Sequence, residues 1–197
     1  MSRLLTKREL LRINPSGIVD ASLEVKAEKP SVTATQPAPM NVQGLPEIAR
    51  FESVLYSGAA FNQWWSSIPV VTDIQGVEGR LPLPCLADHS NQCSSTIGQH
   101  ENITLGNEIL TTGRIFPKSD STAAKIYNYA KQSYAWQESH AGPIKSIEEF
   151  ESGEVVEVNG RSFTGPIYVI RHLVLREGTV VPVGADRDTS FKLVSED

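Results

Sequence analysis

Cysteine is scarce in this chain: Cys85 and Cys93 are the only two among 197 residues. Two thiols are too few for a disulfide framework, so both are expected to be free. Histidine is also sparse, at His89, His100, His140 and His172. Any general base working near neutral pH is therefore sought among these four. No apolar run approaches the roughly 20 residues of a membrane span. The opening MSRLLTKRELLRI is interrupted by charge and lacks the continuous apolar core of a secretory signal. The expected compartment is accordingly cytoplasmic, without membrane contact. Excess positive charge is missing too: 18 Lys and Arg stand against 23 Asp and Glu, a net charge of −5. A mildly acidic chain has no general electrostatic reason to bind nucleic acid.

What is present suits a medium-sized folded domain, with hydrophobic residues at 40% and charged residues at 21%. Residues 1–12 are read as a short amphipathic helix carrying Leu4, Leu5, Leu10 and Leu11. From Pro15 to Pro46 the texture turns to Pro, Ala, Ser and Thr, as in KPSVTATQPAPMNVQGLP, the composition of an extended arm. Residues 47–67 are read as a partly helical lead-in, with Trp64 and Trp65 packing inward. The compact domain is expected over 68–193, leaving 194–197 as a tail.

Within that domain, ITLGNEILTTGRIF reads as two strands joined at Gly106-Asn107. Ala123, Ile126, Tyr127 and Ala130 recur at helical spacing, with Ser119 or Ser121 as the expected cap. Asn159-Gly160 is the strongest hairpin signal in the chain. Many short strands around one central helix predict a barrel or a sandwich.

The chemistry-bearing residues fall in three places. His89 lies in LPLPCLADHSNQCSSTIGQ, where a polar stretch follows an apolar, proline-punctuated approach. That texture puts it at a strand end or in a loop. Ser139 lies in SYAWQESHAGP, and its hydroxyl needs a base to become a nucleophile. Adjacent His140 would face the other side of an extended segment, which disfavours it as that base. Glu177, in RHLVLREGTVVPVGAD, is a charge in an apolar strand run and needs a partner or an outlet to solvent. Beside it Arg176 is one such partner, and His172 is a second polar candidate in that strand region. Cys85, His89 and Cys93 also share a C-x3-H-x3-C spacing, three potential zinc ligands without the fourth that structural zinc normally takes.

The ordered set LPLP, ADHS, IGQ, a helix, WQES, VNGRSFTGP and LREGTVVPVGADRDT resembles the prohead (capsid maturation) proteases of phages. These share the herpesvirus assemblin-type fold, and the resemblance covers about residues 68–190. It implies a mainly β domain with flanking helices (α+β), closed into a barrel of the herpesvirus-protease type. By the resemblance, Ser139 is the nucleophile, His89 the base and Glu177 the third member, with His172 as the alternative because herpesvirus enzymes use a second histidine. The implied activity is a serine endopeptidase that cleaves scaffold protein, capsid precursor and itself. It needs no cofactor or metal, forms a homo-oligomer, and works in the host cytoplasm inside the assembling prohead. The Pro/Ala-rich arm is the expected region of self-cleavage. Two departures stand out. Glu138 precedes the nucleophile where a small residue is common, and Gly178-Thr179 follows Glu177 where a β-branched residue and a serine are common. The rival readings are an inactive capsid-assembly or scaffold protein of the same fold and a small zinc-binding β domain.

Overall fold

The computed structural model describes residues 3–5 and 43–194. In chain order the elements are β1 (Arg3–Leu4), β2 (Ala49–Tyr56), β3 (Val70–Thr72), β4 (Val77–Gly79), β5 (Leu83–Ala87), β6 (Thr96–Leu105) and β7 (Ile109–Ile115). Then come α1 (Ser121–Lys131), β8 (Gln137–Ala141), β9 (Ile144–Phe150), β10 (Val155–Val158), β11 (Arg161–Thr164), β12 (Ile167–Leu175), β13 (Glu177–Val181) and β14 (Ser190–Leu193). The protein is mainly β, with one α-helix among the described residues. No helix among them is long and apolar enough to cross a membrane.

Seven strands form one sheet in the order β14-β2-β7-β6-β5-β13-β8. Its two edges nearly meet. The Phe191 N–H on β14 donates to the Trp136 carbonyl just before β8 at 3.0 Å. The sheet is therefore an almost closed barrel, the arrangement that removes exposed strand edges. A five-stranded sheet packs beside it in the order β1-β9-β12-β3, with β4 also pairing β12 in parallel. The hairpin β10-β11 is a separate two-stranded sheet. At its tip Asn159 and Gly160 have φ of 55° and 71°, the left-handed pair that the Asn-Gly signal predicts.

Two apolar clusters hold the two sheets, and a third, with Val71, Phe150, Val156, Val158 and Val169, seats the β10-β11 hairpin on the five-stranded sheet. Of the first two, one joins the sheets through residues such as Tyr56, Phe61, Ile74, Ile147 and Leu175. The other fills the barrel's helix side with Phe51, Ile97, Ile115, Ala123, Ile126, Trp136 and Phe191. Fully burying a side chain of this size is worth about 1.5–3 kcal/mol, so α1 is held by its Ala123–Ile126 face more than by propensity. Tyr127 and Ala130 complete that face as the spacing predicts. The cap is Asp120, which accepts from the Ala123 N–H at 2.7 Å, rather than Ser119 or Ser121.

The lead-in region differs most from expectation. Residues 49–56 are not helical. They form β2, an inner strand of the barrel in which Phe51, Ser53 and Leu55 alternate inward. The packed domain thus begins ahead of Ile68. Trp64 is 75% exposed rather than inward, while Trp65 is partly buried and 6.4 Å from the Tyr168 ring. Arg3–Leu4 is a strand rather than part of a helix, because its backbone pairs with Glu149 and Glu148 on β9. Residues 6–12 and the arm up to residue 42 lie outside the described residues. At the other end Val194 is still tied down by its N–H to the Arg50 carbonyl at 3.0 Å.

Candidate active site

His89 leaves the end of β5 on a tight turn. The Ser90 N–H donates to the Ala87 carbonyl at 3.2 Å, and both intervening residues, Asp88 and His89, have positive φ of 55° and 52°. Two consecutive non-glycine residues in the left-handed region cost free energy, and such strain concentrates at functional sites. The turn carries the His89 ring to the start of β13. There its Nδ1 lies 2.8 Å from Glu177 Oε1, with the histidine side chain 42% exposed and the glutamate 12%. A carboxylate only accepts hydrogen bonds, so Nδ1 carries a proton, and in the neutral ring Nε2 keeps its lone pair.

β13 lies between β5 and β8. Glu177 pairs with Ala141, and Thr179 pairs with Ser139. Side chains two residues apart on one strand share a face, and so do directly opposed residues. Ser139 and Glu177 therefore belong to the same face of the sheet. His89, Ser139 and Glu177 all line one cleft of about 1090 Å³. Among the described residues the Ser139 hydroxyl has no hydrogen-bond partner. The hydroxyl and the His89 ring are therefore in one cleft but not hydrogen-bonded to each other.

The WQES segment assigns each residue a separate task. The Trp136 indole N–H donates to the Ile126 carbonyl at 3.1 Å and docks α1. Gln137 clamps the loop after β13: its amide donates to the Arg187 carbonyl at 2.7 Å and accepts from the Gly184 N–H at 2.8 Å. Asp186 fixes the same loop from the other side. Its carboxylate accepts from the Ser57 N–H at 2.7 Å, from the Ser57 hydroxyl at 3.0 Å and from the Asp188 N–H at 3.1 Å. Val183, Gly184 and Ala185 of this loop border the cleft. Sequence reasoning assigned no role to Gln137 or Asp186, although both lie inside the segments that carry the resemblance.

Glu138 points into the barrel and is fully buried. Ser53 donates to its Oε2 at 2.5 Å. Burial pushes its carboxyl up to about 8, against the smaller downward pull of the Ser53 hydrogen bond. At neutral pH Glu138 is thus mostly uncharged and puts little negative charge beside Ser139. Gly178 has a local reason as well. A Cβ there would sit 2.3 Å from Nε2 of His100, whose ring covers that position. Glu138 and Gly178 therefore both serve the barrel interior.

The remaining histidines and cysteines separate cleanly. His140 packs its ring 5.0 Å from Tyr56 and 6.1 Å from Phe61. Burial holds its pKa down to about 4, so it stays neutral. His172 pairs through Nε2 with Glu78 at 2.9 Å, on β12 of the other sheet, and does not border the cleft. It is therefore not brought together with His89 and Ser139. Nor is Arg176 the neighbour that answers Glu177; His89 is. The Cys85–His89–Cys93 set is not brought together. Cys85 is wholly buried in the barrel, Cys93 is exposed, and His89 turns toward Glu177. Burial pushes the Cys85 thiol up, with Glu138 and Glu177 adding to the effect.

No protein-family model, curated protein or solved structure matches this chain.

Proposed function

We propose that this chain is a serine endopeptidase of the prohead-protease type, with Ser139 as nucleophile, His89 as base and Glu177 as the group that orients the base. The observation that carries the reading is the His89–Glu177 contact of 2.8 Å in a cleft that Ser139 also lines. Glu177 holds the Nδ1–H tautomer, leaving Nε2 to take the Ser139 proton as Oγ attacks a peptide carbonyl. The protonated His89, stabilised by Glu177, then gives its proton to the leaving amine. Water enters the acyl-enzyme by the same route in reverse and restores the serine. The nearly closed barrel agrees with an assemblin-type fold. The substrates are scaffold protein, capsid precursor and the chain's own Pro/Ala-rich arm, cut by a homo-oligomer inside the assembling prohead in the host cytoplasm.

Two features speak against the inactive-scaffold reading. The Glu138 side chain lies inside the barrel, and the strained turn at Asp88-His89 is a costly way to hold a histidine that does nothing. The test is co-expression with the candidate scaffold and capsid proteins, read by intact mass. Wild type is expected to cut them, and Ser139→Ala and His89→Ala are expected not to. Equal cleavage by all three would rule out the serine mechanism.

A further inference from the structure

A second cluster of reactive side chains lies inside the barrel, behind the strands that carry Ser139 and Glu177. Cys85 on β5, His100 on β6 and Glu138 on β8 are all buried, and their potential ligand atoms lie within 4.8 Å of one another. We propose that Cys85, His100 and Glu138 form a three-ligand site for a zinc-type divalent cation inside the barrel.

The atoms that would bind are the ones left without partners. His100 Nδ1 is engaged by the Thr111 hydroxyl at 2.9 Å, and its Nε2 lies against the Gly178 backbone without a well-formed hydrogen bond among the described residues. Glu138 Oε2 is engaged by Ser53, and its Oε1 has none. Nε2 and Oε1 face each other at 3.9 Å. Buried polar atoms nearly always find a partner, so two orphans facing one point call for an explanation. Ser53 and Thr111 are themselves hydrogen-bonded at 2.6 Å, so one continuous chain fixes both ligands from behind. Outer partners of this kind orient metal-binding histidines and carboxylates in known sites. Phe51 adds an edge-on contact to the His100 ring at 5.2 Å, and Gly178 leaves the room that ring needs.

The donor set is thiolate, imidazole and carboxylate, which suits zinc. Ligand atoms around tetrahedral zinc lie roughly 3.3–3.8 Å apart, so the Nε2–Oε1 pair has to draw in by only about half an ångström. Charge closes as well. A divalent cation with one thiolate, one carboxylate and a neutral imidazole sums to zero, the condition an apolar interior demands. Binding releases the Cys85 thiol proton, and the Glu138 proton when that carboxyl is protonated. This site stands apart from the peptidase reading and does not depend on it.

Cobalt(II) added to metal-free full-length protein tests the proposal, because a cobalt–thiolate bond gives a charge-transfer band. Only two thiols exist, so the Cys93→Ser protein reports on Cys85 alone. Cys93 is exposed, and that variant is expected to fold. It is expected to bind one cobalt per chain with the band present, and to lose the band on adding Cys85→Ser. Thr111→Val is expected to weaken binding by roughly 10- to 100-fold, and His89→Ala to leave it unchanged. Folded Cys93→Ser protein that shows no band overturns the proposal. So does loss of binding in His89→Ala, which would move the metal to the C-x3-H-x3-C set.

Discussion

His89 and Glu177 stand 88 positions apart in sequence and 2.8 Å apart in space. The pairing arises because β13 lies beside β5 in parallel register, Gly178 against Cys85 and Val180 against Ala87. The turn after β5 then folds His89 back toward the start of β13. A charge in an otherwise apolar strand run thus finds its partner across the sheet. Glu177→Gln keeps the shape but lets the amide donate to the ring, which favours the wrong tautomer. In the serine-protease template the equivalent change lowers kcat by about 10^4. A loss of about 10^3- to 10^4-fold with a wild-type circular dichroism spectrum is expected here. Unchanged kcat would mean that Glu177 does not orient the base.

Stability should depend on pH in a way set by the barrel interior. In metal-free protein the Glu138 pKa rises from 4.5 unfolded to about 8 folded. Those of His100 and His140 fall from 6.5 to about 4. Between about 4.5 and 6.5 the unfolded chain binds two more protons at the histidines and one fewer at Glu138, so stability rises with pH. Between about 6.5 and 8, of these three groups, only Glu138 differs, and the folded state holds the extra proton. Stability then falls by up to about 1.4 kcal/mol per pH unit. Urea midpoints are expected to peak near pH 6.5. Glu138→Gln, which mimics the protonated acid, is expected to remove the alkaline decline. A flat wild-type profile from 6.5 to 8 would show that Glu138 is ionised in the native state.

Gly178→Ala places a methyl group against the His100 ring, 2.3 Å from Nε2. Overpacking of this kind costs typically about 1–3 kcal/mol. The cost should largely vanish in a His100→Ala background, where the methyl group has room. A double-mutant cycle by chemical denaturation measures it. An equal penalty in both backgrounds would place the strain in the strand backbone instead.

Gln137→Ala removes two hydrogen bonds that tie the loop at Gly184 and Arg187 to β8. The Gly184 amide is expected to exchange with solvent at least tenfold faster, while amides in β2 and β7 stay protected. Unaltered exchange at Gly184 would mean that Asp186 alone holds the loop.

Much of this architecture could be read from the chain because local and tertiary preferences agree there. Asn159-Gly160 turns as its type requires, and α1 buries the face its spacing marks. Cys85 fills core, as its apolar flank suggests. β2 departs from the partly helical expectation for a physical reason. ARFESVLY alternates inward at Phe51, Ser53 and Leu55, but Ser53 is polar and breaks the apolar pattern. It faces inward because Glu138 and Thr111 need its hydroxyl. The same holds for His100 and Glu138. Nothing in their own flanks distinguishes a buried polar residue from a solvated one, because the partners come from other strands. Trp64 shows the converse, a large aromatic left at the surface although its size suggests burial.

Ser139 was one serine among many until its strand was placed opposite β13. The most direct test of its role uses no natural substrate. A fluorophosphonate, which phosphonylates an activated serine with loss of fluoride, is added to the folded protein and the adduct is located by peptide mass mapping. One adduct per chain on Ser139 is expected, absent in Ser139→Ala and strongly slowed in His89→Ala. Labelling at a different serine, or equal labelling with and without His89, would contradict the assignment of Ser139 as the nucleophile.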